Sequence, residues 1–371
     1  MVDFDVHGLA GVRVVGSVDD AAVVERQLGP LRGQLLRDPD IVVEFVDRME
    51  TGPLVFLGRD EWAFDPEGLL VLRGRRKSRI RARLPLDTIG EGCHILIERG
   101  APAVPYLVAL VNLCVLANGG LPLHAAAFEK NGVGVLVTGW SKGGKTESLL
   151  AALDDGARYV GDEWVYLSDE GERAVGVPEP IRVWDWYFDQ LETVRPQLST
   201  VDRARSRGLS GATAIAARAE RGSFGPGGRQ LGRRVRHLLD GQRYVDVPVS
   251  ELTGSSARPR AITVDAVVHT MSTEASAISL QSTTGSEVAA HMAGSLAFER
   301  LPLIELYHAF RYAFPHRSSQ LIERASLVER ERLHDFLGPR RCWLSTHPYP
   351  PNLAELRRSL SPLWAGRDVA G

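Results

Sequence analysis

Short apolar runs separated by turn residues mark the first hundred residues of the chain. The runs at 12–15, 54–57 and 69–73 consist mainly of valine, leucine and phenylalanine. Runs of this length between turn residues are typical of β-strands. With the helical stretches between them, they predict a small N-terminal α/β lobe over residues 1–102.

A longer apolar run at 104–117 is interrupted by Asn112. It is shorter than the roughly 20 residues that cross a bilayer. The run therefore predicts a buried helix, and we expect no membrane-spanning segment here.

The apolar pattern is most regular after this helix. Apolar runs on both sides of Asn131 and Gly132 predict two strands joined by a tight turn, because both residues tolerate a positive φ. The second strand, 134–138, leads into a glycine-rich loop, and 145–152 and 158–167 have the patterns of a helix and a buried strand. The order strand, loop, helix, strand is that of a phosphate-binding unit.

The C-terminal third predicts a strand at 261–269, a helix at 287–314 and further helical turns to residue 337. A strand at 342–346 and a last helix from Leu353 follow. The order of elements predicts an α/β (α+β) domain at 103–371 with a C-terminal helical extension.

Residues 203–243 are rich in arginine, glycine and alanine and lack apolar periodicity. We expect a mobile insertion in the second domain. One interpretation is that it closes over a nucleotide or substrate, with its arginines meeting phosphate; the other is a disordered basic loop without that role.

Composition narrows the choice of partners and compartment. The 371 residues are too many for one small hydrophobic core, which suggests two lobes. The formal net charge of −2 gives no general attraction to nucleic acid or anionic membranes, so we expect neither as a partner. The three cysteines lack disulfide or metal spacing, and the first residues lack the pattern of a secretory signal. We therefore expect a cytoplasmic protein.

A complete P-loop pattern, GWSKGGKT, occupies positions 139–146. Its backbone N–H groups and the following helix N-terminus suit phosphate oxygens. Lys145 is expected to reach the β- and γ-phosphates of ATP, and the hydroxyl of Thr146 to bind Mg²⁺. The predicted ATP-binding residues are Gly139, Trp140, Ser141, Lys142, Gly143, Gly144, Lys145, Thr146 and Glu147.

Two adjacent carboxylates, Asp162 and Glu163, close the next predicted strand. Since neighbouring strand residues point to opposite faces, we expect Asp162 alone to face the nucleotide directly. It is predicted to be a general base or, with Thr146 and Glu163, a metal ligand. The alternative is a pair of exposed acids that opens a turn.

His124 precedes the first hairpin strand. It is a candidate catalytic residue that positions Asp162 or meets the negative charge of the transferred phosphate. A lone histidine also fits a purely structural role.

The residues at 123–124, 132–136, 145–147 and 161–163 resemble, in order and spacing, HPr kinase/phosphorylase and its HPr-kinase-like relatives. The resemblance implies a fold related to phosphoenolpyruvate carboxykinase, with ATP and Mg²⁺ as cofactors. It also implies catalytic roles for Lys145, Asp162 and His124 and allows a homo-oligomer.

The chain departs from the family pattern at several positions. Trp140 and Lys142 replace the usual Asp and Gly, and Glu163 replaces a second Asp. The Glu-Ile-Arg-Gly signature is absent, which argues against HPr as the acceptor. The nearest matching residues, Glu179 and Arg182, are predicted on the substrate side, where a structural ion pair is the alternative role.

The sequence thus predicts an ATP-dependent kinase that phosphorylates a hydroxyl. The acceptor is a Ser or Thr of a peptide or protein, or a small molecule. The rival hypothesis is a nucleotide-binding regulatory or docking protein that has lost phosphoryl transfer. A motor-type or transport ATPase is a weaker hypothesis, because no Leu-Ser-Gly-Gly signature follows the loop.

Overall fold

A computed structural model of the chain forms the basis of the description. The predicted insertion at 203–243 lies outside the described residues, apart from Arg243 and isolated positions between 208 and 239. The described ranges are 1–74, 78–168, 173–193, 243–253 and 261–365.

The first sheet comes from the N-terminal hundred residues. Strand burial alternates along the chain, so one face packs on a core and the other meets solvent. A capping box at Ser17 and Asp20 begins the first helix. The elements are β1 (Val2–Val6), β2 (Ala10–Val15), α1 (Val18–Leu28), β3 (Ile41–Val46), β4 (Val55–Leu57), β5 (Trp62–Asp65), β6 (Gly68–Arg73), β7 (Arg79–Leu84) and β8 (Cys93–Glu98).

The eight strands lie in the order β1-β2-β3-β8-β7-β6-β5-β4. The predicted strands at 12–15, 54–57 and 69–73 fall in β2, β4 and β6 and are confirmed.

The predicted buried helix is α2 (Leu107–Ala117), which contacts β2 of the first sheet. The side-chain oxygen of Asn112 accepts a hydrogen bond from the buried hydroxyl of Tyr166 at 3.1 Å, which explains a polar residue in this apolar run. In the described part of the chain, no helix combines the length and hydropathy needed to cross a membrane.

The second sheet takes its strands from residue 121 onward. The elements are β9 (Leu121–Lys130), β10 (Val133–Gly139), α3 (Lys145–Asp154), β11 (Arg158–Gly161), β12 (Trp164–Leu167), β13 (Arg173–Gly176), β14 (Ile181–Trp184), β15 (Tyr244–Val247), α4 (Val249–Thr253), β16 (Ile262–Thr263), β17 (Ala266–Ser272), β18 (Ser279–Thr283), α5 (Gly285–Ala313), α6 (Gln320–Leu337), β19 (Arg341–His347) and α7 (Leu353–Leu360). Two 3₁₀ helices lie at Asp185–Gln190 and Ser361–Leu363.

The strands of the second sheet lie in the order β16-β13-β12-β9-β10-β17-β19-β18. Strand β11 pairs with β9, and β14 and β15 form a separate two-stranded ribbon.

Two predicted strands are each divided in the structure. The stretch 158–167 forms β11 and β12, because Glu163 has a φ of 64° and turns the chain between them. The stretch 261–269 is interrupted at Val264 and Asp265, where the Asp265 side chain accepts a hydrogen bond from the Gly134 N–H at 2.9 Å. The hairpin and the helices α3, α5 and α7 are confirmed.

The helices at the C-terminal end belong to the layers of the second sheet. After α5 and α6 the chain returns as β19, which lies parallel to β17 and antiparallel to β18. The predicted helical extension is therefore followed by a strand inside the sheet.

The central strand β10 divides two hydrophobic cores. Leu136 belongs to a core that also contains residues of the first sheet, α2, α5 and α6. Val135 and Val137 belong to a second core with α3 and α7. One continuous core thus joins the two sheets, and the predicted domain boundary at residue 102 stays a prediction.

Candidate active site

The glycine-rich loop lies where β10 ends and α3 begins. Strand β17 runs parallel to β10, and β19 runs parallel to β17. The carboxyl ends of the three strands therefore lie at the same edge of the sheet. In open α/β sheets this edge is the usual place for a ligand. It brings Thr270 of β17 and His347 of β19 to the loop.

Two loop glycines are required by this packing. Gly139 has a φ of 156°, and a Cβ there would lie 2.6 Å from the carbonyl oxygen of Thr270. Gly144 has a φ of 103°, and its Cβ would lie 2.1 Å from Nε2 of His347. Larger residues at either position would displace the strands that support the loop.

Lys145 is buried at the start of α3. Its Nζ donates hydrogen bonds to the carbonyl oxygens of Gly139 at 3.3 Å and Trp140 at 2.9 Å. Burial lowers the pKa of Lys145, and the charges of Glu163 and Asp162 partly offset that effect. The ammonium group is therefore held under the loop, beside the two carboxylates.

Thr146 connects the loop to the carboxylate pair. Its Oγ1 donates to Asp162, 3.0 Å from Oδ2 and 3.3 Å from Oδ1. A P-loop hydroxyl beside an acid from the next strand is the arrangement that holds Mg²⁺ in many nucleotide-binding proteins.

The two neighbouring carboxylates have pKa values that move in opposite directions. Burial and then the charge of Glu163 raise the pKa of Asp162 to about 7, although the bond from Thr146 opposes the shift. A hydrogen bond with His124 is the main reason that the pKa of Glu163 is lowered. Because the pair lies in a turn rather than a strand, both carboxylates lie near Lys145. Such a divided pair suits one group that takes up a proton and one that stays charged.

His124 lies between two carboxylates. Its Nε2 is 3.1 Å from Oε2 of Glu163, and its Nδ1 is 2.9 Å from Oε1 of Glu299 on α5. Burial alone would lower the pKa of His124, but the two carboxylates outweigh it and the pKa is raised. The bond with His124 in turn lowers the pKa of Glu299. His124 thus connects α5 to the carboxylate pair.

The two predicted substrate-side residues lie in different surroundings. Burial, followed by the charges of Glu163 and Asp162, raises the pKa of Glu179 to about 7. Arg182 is exposed: its Nε is 3.3 Å from Oδ1 of Asp246, and its guanidinium lies 4.2 Å from the ring centroid of Tyr244. Arg182 also acts on the cluster, because its positive charge is one of the causes that lower the pKa of Glu163.

The remaining predicted loop residues differ in exposure. Trp140 is half exposed and Lys142 is exposed with a φ of 61°, whereas Ser141 is partly buried. Glu147 is buried, and that burial raises the pKa of its carboxyl despite the charges of His347 and Lys145. Glu147 therefore lies inside the protein, behind the loop.

The oxygen-bearing side chains beside the loop suit a metal ion that binds together with a phosphate ligand. Within the described residues, no group of three or more His, Cys, Asp or Glu side chains has the arrangement to hold a metal ion. Thr146, Asp162 and Glu163 offer one hydroxyl and two carboxylates, and Mg²⁺ is commonly held by one or two carboxylates together with substrate phosphates and water. These residues fit Mg²⁺ bound together with ATP.

Sequence reasoning missed three residues of the site. His347 Nε2 lies 3.1 Å from the Gly143 carbonyl oxygen and 3.0 Å from Oγ1 of Thr270. His347 and Thr270 therefore support the glycine-rich loop. Glu299 contacts His124. The only signal in the sequence was that strands predicted near 269 and 346 end in polar residues. For Glu299 there was none, because its partner is 175 positions away along the chain.

Comparison of the sequence with models of known protein families gives no match, and comparison with curated proteins gives none either.

Proposed function

We propose that the protein is an ATP-dependent phosphotransferase that moves the γ-phosphoryl group of Mg-ATP to a hydroxyl. The observation that carries the proposal is the contact of Thr146 with Asp162 beside the buried Lys145, at the end of a glycine-rich loop. This combination supplies a cation, a hydroxyl and a carboxylate where a nucleotide phosphate would rest.

Each residue has a distinct part in the proposed reaction. The loop N–H groups and Lys145 bind the phosphates and offset the charge that builds up during transfer. Asp162, with a pKa of about 7, accepts the proton of the attacking hydroxyl near neutral pH. Glu163 stays ionised beside His124, and with Thr146 it would hold Mg²⁺. When bound, Mg²⁺ would neutralise charge on the β- and γ-phosphates.

The fold proposed for this domain is that of the HPr-kinase-like proteins, related to phosphoenolpyruvate carboxykinase. Support comes from the hairpin β9–β10, the loop that follows it and the carboxylate pair between β11 and β12. A cytoplasmic homo-oligomer accords with this proposal.

Ligand-dependent stability tests the nucleotide site. At about 100 times its dissociation constant, Mg-ATP should add roughly 2.7 kcal/mol to the free energy of unfolding. Lys145→Ala should abolish the resulting shift in melting temperature. Lys130→Ala is the matched control, because Lys130 pairs with Asp155 rather than with the loop. A wild-type protein that shows no shift contradicts the proposal.

A transfer assay separates the proposed kinase from the rival nucleotide-binding regulator. Both bind Mg-ATP, but only the kinase moves radioactive γ-phosphate to serine or threonine peptides or to hydroxyl metabolites. Binding without transfer to any of these acceptors would favour the regulator.

A further inference from the structure

Strand β19 ends in a fully buried histidine beside the glycine-rich loop. His347 is 0% exposed, and its Nε2 lies 3.1 Å from the carbonyl oxygen of Gly143. Its Nδ1 lies 2.9 Å from the carbonyl oxygen of Pro348, which fixes the orientation of the ring. The imidazole is therefore held between β19 and the loop, where it contacts the peptide unit that joins Gly143 to Gly144.

The two carbonyl contacts determine where the ring of His347 carries hydrogen. A carbonyl oxygen only accepts hydrogen bonds, so Nδ1 and Nε2 must both carry hydrogen for both contacts to be hydrogen bonds. The ring is then a positively charged imidazolium, and the hydroxyl oxygen of Thr270, 3.0 Å from Nε2, accepts from the same N–H. Burial raises the pKa of the Glu147 carboxyl on α3, and the charge of His347 opposes that shift.

The contact of His347 with Gly143 also sets the direction of the next amide group. The Gly143–Gly144 peptide bond is trans, so its N–H points away from the side on which its carbonyl lies. Within the described residues, the Gly144 N–H has no hydrogen-bond acceptor. With the carbonyl held by His347, this N–H faces away from β19 and is available to an oxygen of a phosphate group.

We infer that His347 is a positioning residue for phosphate binding: its Nε2–H holds the Gly143 carbonyl and so directs the Gly144 N–H at the phosphates of the nucleotide. The inference rests on the proposed function and adds to its phosphate site a residue about 200 positions from the loop. Without this hydrogen bond the Gly143–Gly144 peptide is free to rotate. A rotated peptide presents its carbonyl oxygen to the phosphate, and the two groups repel each other.

Calorimetric titration with inorganic triphosphate and Mg²⁺ tests the inference without an acceptor or an adenine base. His347→Met keeps a side chain of similar length but removes the N–H. It should weaken triphosphate binding about tenfold or more, because a charge-assisted hydrogen bond that orients the loop is lost. His347→Gln keeps an N–H that can reach the Gly143 carbonyl, so it should recover most of the affinity.

Cys342→Ala is the matched control, since Cys342 is buried on the same strand but at its other end. Urea denaturation gives the free energy of unfolding of each variant, and binding is compared at a temperature at which all the variants are folded. Cys342→Ala should bind triphosphate as the wild type does. The inference is overturned if His347→Met also binds as tightly as the wild type, or if His347→Gln binds no better than His347→Met.

A pH series adds a readout that packing alone would not change. Histidine side chains titrate between about pH 5 and 8, so triphosphate affinity should fall more steeply with rising pH in the wild type than in His347→Gln. The other ionisable groups around this histidine are common to both proteins: Glu147 and Lys145 on α3, and Tyr349 after β19. Parallel pH profiles would show that the proton of His347 does not control the loop.

The same titrations separate the inference from the proposed function. A wild-type protein that binds neither triphosphate nor Mg-ATP contradicts both. Triphosphate binding that does not depend on His347 contradicts only the inference. Triphosphate binding that depends on His347, in a protein that transfers phosphate to no acceptor, supports the positioning role and favours the nucleotide-binding regulator over the kinase.

Discussion

Two buried carboxylates in the two sheets have contrasting surroundings. Asp65, in the first sheet, accepts hydrogen bonds from the backbone N–H groups of Gly52, Glu67 and Gly68, and from Arg83 at 2.8 Å. Asp65 is thus a buried acid whose oxygens are satisfied by donors, and such an acid stabilises the fold.

Asp162, in the turn between two strands of the second sheet, is also buried, but it accepts fewer hydrogen bonds. Its side chain accepts hydrogen bonds from Thr146 and from the backbone of Glu163. The charge of Glu163 lies next to it, and Lys145 is the nearby cation. Crowded like charges in a buried place cost stability, and proteins keep them mainly where function requires them. Burial alone therefore does not mark a functional acid, whereas burial with too few hydrogen-bond donors does.

The largest expected effect is on phosphate transfer. Asp162→Asn should lower kcat about 10²- to 10⁴-fold, because an amide cannot accept the proton of the hydroxyl. Steady-state kinetics with a peptide acceptor measures the loss. Asp65→Asn, assayed at a temperature where it is folded, should retain nearly full activity. Full transfer by Asp162→Asn would remove Asp162 from the proposed role.

For the free energy of unfolding, we expect the larger loss at Asp65 rather than at Asp162. Asp65→Asn should lower the free energy of unfolding by about 2–4 kcal/mol, since Arg83 loses its buried partner and backbone donors lose a charged acceptor. Asp162→Asn should leave stability unchanged or raise it. Urea denaturation of both variants at neutral pH gives the comparison, and a greater loss in Asp162→Asn would reverse the assignment of roles.

A pH series should sharpen the same contrast. The pKa of Asp162 rises from 3.8 in the unfolded chain to about 7 in the fold, so the folded protein holds more protons between these values. The contribution of Asp162 to the free energy of unfolding is fully present below about pH 4. It is lost as the pH rises through 7, and the loss is on the order of a few kcal/mol. Glu179 adds a decline of the same sign, and the lowered pKa of Glu163 acts oppositely at more acidic pH.

In metal-free buffer, Asp162→Asn should therefore show a flatter profile than wild type between pH 5 and 8. Denaturant melts at each pH provide the measurement. Parallel profiles for the two proteins would show that Asp162 titrates normally.

The smallest effect is expected at Glu299. Glu299→Gln removes one of the two carboxylates that raise the pKa of His124, so that pKa should fall in an NMR titration. Transfer should drop only several-fold, because Glu163 still holds the other ring nitrogen. Glu305→Gln, on an exposed position of the same helix, is the control. An unchanged pKa would show that Glu299 does not position His124.

Local pattern in the sequence predicted much of the scaffold. The apolar runs and the Asn131-Gly132 turn predicted the hairpin, and the residues of the loop predicted its helix, because turn conformation and burial period are short-range properties. The strand predicted at 158–167 is broken at Glu163, whose φ of 64° is imposed by its surroundings; only the alternative of an acid pair that opens a turn allowed for this break.

The sequence by itself determined the chemical groups available: a glycine-rich loop with Lys145 and Thr146, and an acid pair that follows it. Tertiary structure alone decided which residues meet them. His347 and Thr270 lie at the loop because parallel strands end at one edge of the sheet. Glu299 and Phe298 contact His124 and Trp140, respectively, because α5 packs beside the loop. Such contacts join residues far apart along the chain and depend on how layers pack, which no local periodicity encodes.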